Sequence, residues 1–291
     1  MKVGVVDIGT NSMRLLITDG TSESLRLVEV TGLGRGVDGT GDLSAEGIEE
    51  SLAALARFGA TMEEEGVTRR KAIATSAARD ASNREVFFDL AESALGMRPE
   101  LITGEEEARL AFAGATFGVD VEDPVVVSDI GGGSTEFVTA EGGVSIDIGS
   151  VRLTERTIPS RPPPRAEVTA ARSLVTDLFR GIDLEVGTLI GVAGTWTSLA
   201  AIAQGLPEYS RDEVHGYKMA LYELEAVIDS LAGMTLDATA AIPAMDPKRA
   251  PVILAGSLVA EGVMEVLGVD QVMVSEHDTL DGVAMDLLAL A

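Results

Sequence analysis

The hydrophobic and polar positions along the chain switch between two periods: short apolar runs stopped by turns, and longer stretches with helical spacing. An apolar run over Val3–Ile8 stops at Gly9-Thr10-Asn11-Ser12, and a second strand follows over Met13–Thr18. Asp19-Gly20 is a hairpin signal leading to a third strand over Leu25–Val30. Ser44 caps a helix whose apolar residues recur at Ile48, Leu52, Leu55 and Phe58. A strand over Lys71–Thr75 comes next, then a helix begun by Ser82 or Asn83 and ended at Gly96. Pro99–Thr103 leads into a further helix from Gly104 to Phe117.

After Glu122-Asp123-Pro124 the pattern starts again. Val125–Asp129 reads as a buried strand, Gly131-Gly132-Gly133-Ser134 as a turn and Glu136–Thr139 as a strand. Glu141-Gly142-Gly143 is a hairpin turn, and Val144–Ile148 the third strand. Asp7-Ile8-Gly9-Thr10-Asn11-Ser12 and Asp129-Ile130-Gly131-Gly132-Gly133-Ser134 lie 122 positions apart. The repeat predicts an α/β protein of two similar lobes, 1–121 and 122–291, facing each other across a cleft, with the last helix able to pack back on the first lobe. The remainder reads as mixed α/β. Arg161-Pro162-Pro163-Pro164 is a stiff connection, followed by a helix over Ala166–Arg180, a strand over Thr188–Ala193 and a helix after Gly194-Thr195. Helices over Lys248–Leu267 and Leu280–Leu290 flank a last strand, Gln271–Val274.

Composition narrows what such lobes can do. The 291 residues leave room for about two domains, and 46% hydrophobic with 24% charged residues is a folded balance. Acidic residues number 47 against 22 basic ones, a formal charge of −25, which argues against nucleic acid and anionic membranes as partners. There is no cysteine and there are two histidines, so disulfides, thiolate chemistry and multi-histidine metal sites are excluded. Asp7 interrupts the apolar start that a signal peptide needs, and no uncharged apolar stretch of spanning length occurs; the expected location is the cytoplasm. Only four of the basic residues are Lys, in a chain rich in Ala and Gly, as in proteins of GC-rich bacteria. A homodimer is compatible with the sequence and not required by it.

The candidate chemistry sits at the two repeated loops. A strand entering Asp-x-Gly-x-x-Ser and returning as a strand makes a tight hairpin whose N–H groups can hold phosphoryl oxygens without lysine. Two copies point to a phosphorylated ligand clamped between lobes. Asp7 and Asp129 end their strands at these loops, and a carboxylate beside phosphate calls for a cation, of which Mg²⁺ is the usual one. Glu136 on the return strand either joins that site or is an exposed strand charge. Glu105, Glu106 and Glu107 open a helix where Thr103 and Glu106 form a capping box. Glu107, however, shares a stripe with Leu110, Ala111 and Gly114, so it is either a partnered structural acid or a general base. Arg14, Arg79 and Arg152 each lie beside a turn or motif and could hold phosphate oxygens or form ordinary ion pairs. His215 and His277 read as structural.

Taken in order, VGVVDIGTNSMRLLI, IATSAARDASNREVF, ITGEEEARLAFAGA, VVVSDIGGGSTEFV, DIGSVRLTER, GVAGTWTSLAAI, VHGYKM and RAPVILAGSLVAEGVMEVLG carry a resemblance. The chain is similar to the exopolyphosphatase/guanosine pentaphosphate phosphohydrolase family, within the actin, sugar-kinase and Hsp70-like superfamily. The resemblance implies two ribonuclease H-like lobes and hydrolysis of a terminal phosphate from inorganic polyphosphate or from guanosine pentaphosphate. It implies Glu107 as the catalytic base and Asp129 and Glu136 as carboxylates for Mg²⁺ or Mn²⁺. It further implies phosphate contacts from Asp7, Gly9, Thr10, Asn11, Ser12, Arg14, Arg79, Gly131, Gly132, Gly133, Ser134, Thr135 and Arg152. A sensor that binds without turnover is the non-enzymatic alternative, against which the retention of Glu107, Asp129 and Glu136 argues.

Three departures from the family pattern shape further expectations. Trp196 stands where a small or polar residue is expected, near where related folds approach a nucleotide, and is expected to disfavour nucleotides. The segment from Ser275 to Gly282 is a weak version of the family's C-terminal motif. The helical C-terminal extension of longer members is expected to be absent, giving a preference for short polyphosphate.

Overall fold

The computed structural model describes residues 1–21, 23–119 and 121–290, and packs them as two compact units. One comprises 1–117 with 277–291, the other 118–276. The first unit opens with β1 (Val3–Ile8), β2 (Ser12–Thr18) and β3 (Glu23–Val30). A short α1 (Val37–Thr40) and the long α2 (Ala45–Glu64) follow; as expected, Ser44 caps α2, accepting from Gly47 N at 3.1 Å. Then come β4 (Arg69–Ala74), α3 (Ser76–Asp80), α4 (Arg84–Leu95), β5 (Glu100–Leu101) and α5 (Gly104–Ala115). The sheet order is β3-β2-β1-β4-β5, with β1 antiparallel to β2 and parallel to β4.

The second unit begins with the same arrangement: β6 (Val125–Ile130), β7 (Thr135–Thr139) and β8 (Gly142–Ile146). It continues with α6 (Ser150–Thr157), α7 (Arg165–Phe179), β9 (Thr188–Val192), α8 (Ala193–Ala203) and α9 (Arg211–Val214). β10 (Lys218–Ala220), α10 (Leu221–Ala232), α11 (Leu236–Ala240), α12 (Ile253–Leu267) and β11 (Gln271–Val274) complete it. Here the sheet order is β10-β11-β9-β6-β7-β8. Read from β8, the first five strands repeat the order of the first sheet: a three-strand antiparallel meander whose inner strand continues into two parallel neighbours. The chain then returns to the first unit as α13 (Thr279–Ala289), which packs on α5 and β1.

The period of two in β1 assigns its faces. Val6 and Ile8 join Met13, Leu15, Ile17, Phe58 and Phe87 in a core under α2 and α4. Val3 and Val5 join Leu16, Ile73, Leu110, Leu280 and Val283 in a core under α5 and α13. Asp7 falls on the second face, and so does Arg14, its direct partner across β1 and β2. In the second unit Val126, Ile130 and Phe137 face a large core that contains Trp196, Phe179 and most of α12. Asp129 and Glu136, opposite each other in the register, lie on the other face.

Several elements depart from the expected bounds. The helix expected from Lys248 starts at Ile253, because Asp246 caps a separate 3₁₀ turn over Pro247–Arg249 and accepts from Lys248 N at 2.9 Å. The strand expected over Val144–Ile148 ends at Ile146, since Ile148 N turns back to donate to the Ile146 carbonyl. Helices α3, which follows β4 directly, and α6, which follows a loop, were not expected; each is short, and the helical period is correspondingly weak. Among the described residues no helix is long and apolar enough to cross a membrane.

Candidate active site

Both repeated loops close with the same hydrogen bond. Gly9 N donates to the Ser12 carbonyl at 3.1 Å, and Gly131 N donates to the Ser134 carbonyl at 3.0 Å. Two further carbonyls of each loop are taken by the chain that follows. In the first loop the Thr10 carbonyl accepts from Gly34 N at 2.7 Å, and the Asn11 carbonyl from Thr31 N and Gly32 N at 3.0 Å each. In the second, the Gly131 carbonyl accepts from Ser150 N, and the Gly132 carbonyl from Val151 N and Arg152 N at 2.9 and 3.1 Å. This explains α6: its first N–H groups, which no helix satisfies internally, find partners in the loop. Gly149 is required for that approach, as a Cβ there would sit 2.6 Å from the Gly132 carbonyl group. With these carbonyls occupied, each loop is held by the chain that follows it, and small residues and N–H groups of such loops are the elements that cradle anions.

Side chains complete each set. Thr10 Oγ1 accepts from Ala77 N at 3.2 Å, tying the first loop to α3. Arg79, at the end of α3, donates from Nη1 to the Ile102 carbonyl at 3.1 Å and to Glu107 Oε2 at 3.4 Å. Two residues assigned to phosphate and to catalysis are thereby brought together. Glu107 is 8% exposed on the buried side of α5, with Leu110, Ala111 and Gly114, as its stripe implied. The expected capping box is only half formed. Thr103 Oγ1 accepts from Glu106 N at 3.2 Å, but the Glu106 carboxylate is held by Arg109 through two bonds of 2.9 Å, which lowers its pKa.

Arg14, expected as a phosphate ligand, is paired with two carboxylates. Its Nε donates to Asp7 Oδ2 at 2.8 Å, Nη2 bonds the same oxygen, and Nη1 bonds Asp278 Oδ2. Asp7 Oδ1 is buried with no hydrogen-bond partner, and so is Ser76 Oγ, at the neighbouring strand end where β4 enters α3. Burial raises the Asp7 carboxyl above its ordinary pKa, Arg14 pulls it down, and Asp278 adds to the rise.

In the second unit Glu136 is 1% exposed, and Ser145 Oγ donates to its Oε1 at 2.6 Å. Asp129, also buried, is its direct neighbour in the ladder. Two buried carboxylates on one face form a hard oxygen donor set that fits Mg²⁺ or Mn²⁺. Among the described residues no group of three or more Asp, Glu or His is placed to hold a metal ion. A Mg²⁺ that keeps waters and phosphate oxygens needs only one or two carboxylates, so the pair suffices. Thr135 donates its hydroxyl to the Ile148 carbonyl at 2.6 Å, and Ser134 is buried in the loop. Arg152, on the first turn of α6, has Nη1 at 3.8 Å from Asp147.

Trp196 is placed otherwise than expected. It is fully buried over Gly191, and its Nε1 donates to Ser128 Oγ at 3.3 Å. Ser128 and Asp129 are consecutive in a strand and face opposite ways, so the indole lies on the core face, away from the carboxylate pair. Its aromatic bulk packs in the core of the second unit. His215 is structural as expected, its Nδ1 accepting from Glu276 N at 3.2 Å. Sequence reasoning named the segments that hold Ser76 and Asp278 but gave neither residue a role. Ser76 lay inside the ATSAARDA motif, whereas nothing near Asp278 connects it to a loop 264 residues away.

Residues 17–291 match the sequence profile of the Ppx/GppA phosphatase family. The chain is 41% identical to exopolyphosphatase 2 of Mycobacterium tuberculosis over 98% of both proteins. The crystal structure of an exopolyphosphatase from Cytophaga hutchinsonii superposes with a TM-score of 0.92 at 26% identity, over 100% of this chain and 99% of that one. That of the Aquifex aeolicus family member superposes with a TM-score of 0.82 at 32% identity, over 100% and 98%.

Proposed function

Because this chain belongs to the Ppx/GppA phosphatase family, we propose that it is an exopolyphosphatase, releasing terminal orthophosphate from inorganic polyphosphate, short chains in preference to long ones. The observation that carries this reading is a pair of like loops with unlike seventh residues. Arg14 stands opposite Asp7, and Glu136 stands opposite Asp129. The same hairpin thus sets an arginine opposite its aspartate in one unit and a glutamate opposite it in the other. Two carboxylates on one face suit a divalent cation, and the copy with arginine suits direct contact with phosphate.

The N–H groups of Gly9–Ser12 and Gly131–Ser134 bind phosphoryl oxygens, with Thr10, Ser76 and Arg79 adding side-chain donors. Glu107 takes the proton of the attacking water, and Arg79 orients its carboxylate. Asp129 and Glu136 hold Mg²⁺ or Mn²⁺, which when bound supplies charge neutralisation to the polyphosphate. Phosphoryl transfer depends mainly on positioning and charge, and these residues provide both.

The test measures phosphate release from tripolyphosphate, long polyphosphate and guanosine pentaphosphate side by side, with Mg²⁺ and with excess chelator. The wild type is expected to act on tripolyphosphate fastest and only with metal. Glu107→Gln, still folded by circular dichroism, is expected to lose about 10² to 10⁴ in kcat. Near-wild-type turnover by that variant removes Glu107 from the mechanism. Release from the nucleotide alone replaces the substrate, and tight binding without turnover replaces the enzyme with a sensor.

A further inference from the structure

The two three-strand meanders differ at the outer strand as well as at the second. Across β6, β7 and β8, Asp129 pairs with Glu136 and Glu136 with Ser145. Across β1, β2 and β3, Asp7 pairs with Arg14 and Arg14 with Val28. Directly paired residues project to the same side of a sheet, so each row of three shares one face. The outer place holds a half-buried hydroxyl in the second sheet and an exposed valine in the first. Ser145 uses its place: its Oγ donates to Glu136 Oε1 at 2.6 Å. A hydroxyl bonded to an ionised carboxylate has a length of about 2.5–2.7 Å. The next residue, Ile146, turns to the other face and packs against the core that holds Trp196 and Phe179. That packing and the β7–β8 ladder fix the backbone that carries the hydroxyl.

Glu136 is buried, so its oxygens depend on partners inside the protein. A donor on one oxygen of a carboxylate fixes the plane of the group and favours its ionised form, the form that binds a cation. We propose that Ser145 is a positioning residue for the cation: its hydroxyl holds the Glu136 carboxylate in the orientation that binds Mg²⁺ or Mn²⁺, and so sets the affinity of the second loop for the metal. This rests on reading Asp129 and Glu136 as the carboxylates of the cation. It also accounts for the difference between the rows. The first row carries Arg14 at its centre and has no carboxylate there to orient, so an apolar residue serves at its outer place.

The competing account is that Ser145 only satisfies a buried charge. Two substitutions of like shape separate the accounts. Ser145→Thr keeps the hydroxyl on a β-branched side chain suited to a strand, whereas Ser145→Val puts a methyl group there, as the first row does. Mn²⁺ is titrated into the full chain, alone and with orthophosphate, and the free ion is counted by electron paramagnetic resonance. Kd for Mn²⁺ is expected to rise about 10- to 100-fold in Ser145→Val and to stay within about threefold of the wild type in Ser145→Thr. In phosphate release from tripolyphosphate, the free Mn²⁺ needed for half the maximal rate is expected to rise by the same factor in Ser145→Val. Its kcat at saturating Mn²⁺ is expected to stay close to that of the wild type, because the metal once bound is the same.

A purely structural serine would lower the melting temperature of the metal-free protein in Ser145→Val and leave Kd where it was. An unchanged Kd in that variant therefore overturns the proposal, whatever the melting temperature does. So does a Kd raised equally in Ser145→Thr and Ser145→Val, since the hydroxyl is then not what the cation needs. Where Asp129→Asn and Glu136→Gln lose Mn²⁺ and Ser145→Val does not, the cation reading stands and this inference alone falls. A Kd unmoved by Asp129→Asn and Glu136→Gln, or a wild type that binds no Mn²⁺ with or without orthophosphate, rejects the cation reading and this inference with it.

Discussion

Asp129 and Glu136 are the two residues proposed to hold the cation. Each carboxylate is buried on the same face, and Ser145 fixes one oxygen of Glu136. A cation that binds this pair only in the folded chain stabilises that chain by mass action. Mg²⁺ in hundredfold excess over its Kd is therefore expected to raise the melting temperature by roughly 5–10 °C. Asp129→Asn and Glu136→Gln should each abolish that rise in a thermal melt, and an undiminished rise in both places the cation elsewhere. Glu107 was legible at this scale because a helix places residues three and four apart on one side, and its neighbours there are apolar. The ion pairs of Arg14 were not, because an arginine seven residues after an aspartate fits a phosphate ligand and an ion pair equally well.

At the scale of elements, the position of α5, and hence of Glu107, depends on α13, which comes from the far end of the chain. The two helices touch through glycines. A Cβ on Gly114 would lie 2.0 Å from the Asp278 carbonyl oxygen, and one on Gly282 would lie 2.1 Å from that of Leu110. Neither neighbour is a flexible side-chain end, so a methyl group must push the helices apart. Gly114→Ala is expected to destabilise the protein by about 2 kcal/mol or more, as overpacked interiors do. Gly39→Ala, in open space on α1, should leave the melting temperature unchanged. Equal melting temperatures for the two variants would contradict this packing account. Since Gly114 shares the stripe of Glu107, its variant should also lose kcat in the fraction that remains folded.

For the whole molecule, the formal charge of −25 sets the conditions under which a polyanion can be handled. Repulsion at long range is screened by salt, with the Debye length shrinking from about 30 Å at 0.01 M to about 8 Å at 0.15 M. At fixed free Mg²⁺, kcat/KM for tripolyphosphate is expected to rise over that interval. A fall would mean that local arginines, Arg79 foremost, steer the approach despite the net charge. Steady-state rates across a salt series distinguish the two. The acidic surface also agrees with reliance on the divalent cation, which brings positive charge to the substrate rather than storing it in the protein.

Much of the architecture could be read from the residue order alone. The two strand–loop–strand repeats, the capped α2 and the stripe carrying Glu107 are written in periods of two and 3.6, which near neighbours enforce, whereas the register that sets Glu136 beside Asp129 was left open. Trp196 was misread because its motif shows the residue but not which face of the sheet its helix covers. Helices α3 and α6 escaped notice because short segments draw stability from partners, and the N–H groups of α6 find theirs on the carbonyls of Gly131 and Gly132. The grip of Asp278 on Arg14 lay beyond any local pattern. Two charges 264 positions apart meet because β2 and α13 pack on one sheet face, and burial there obliges each to find a partner.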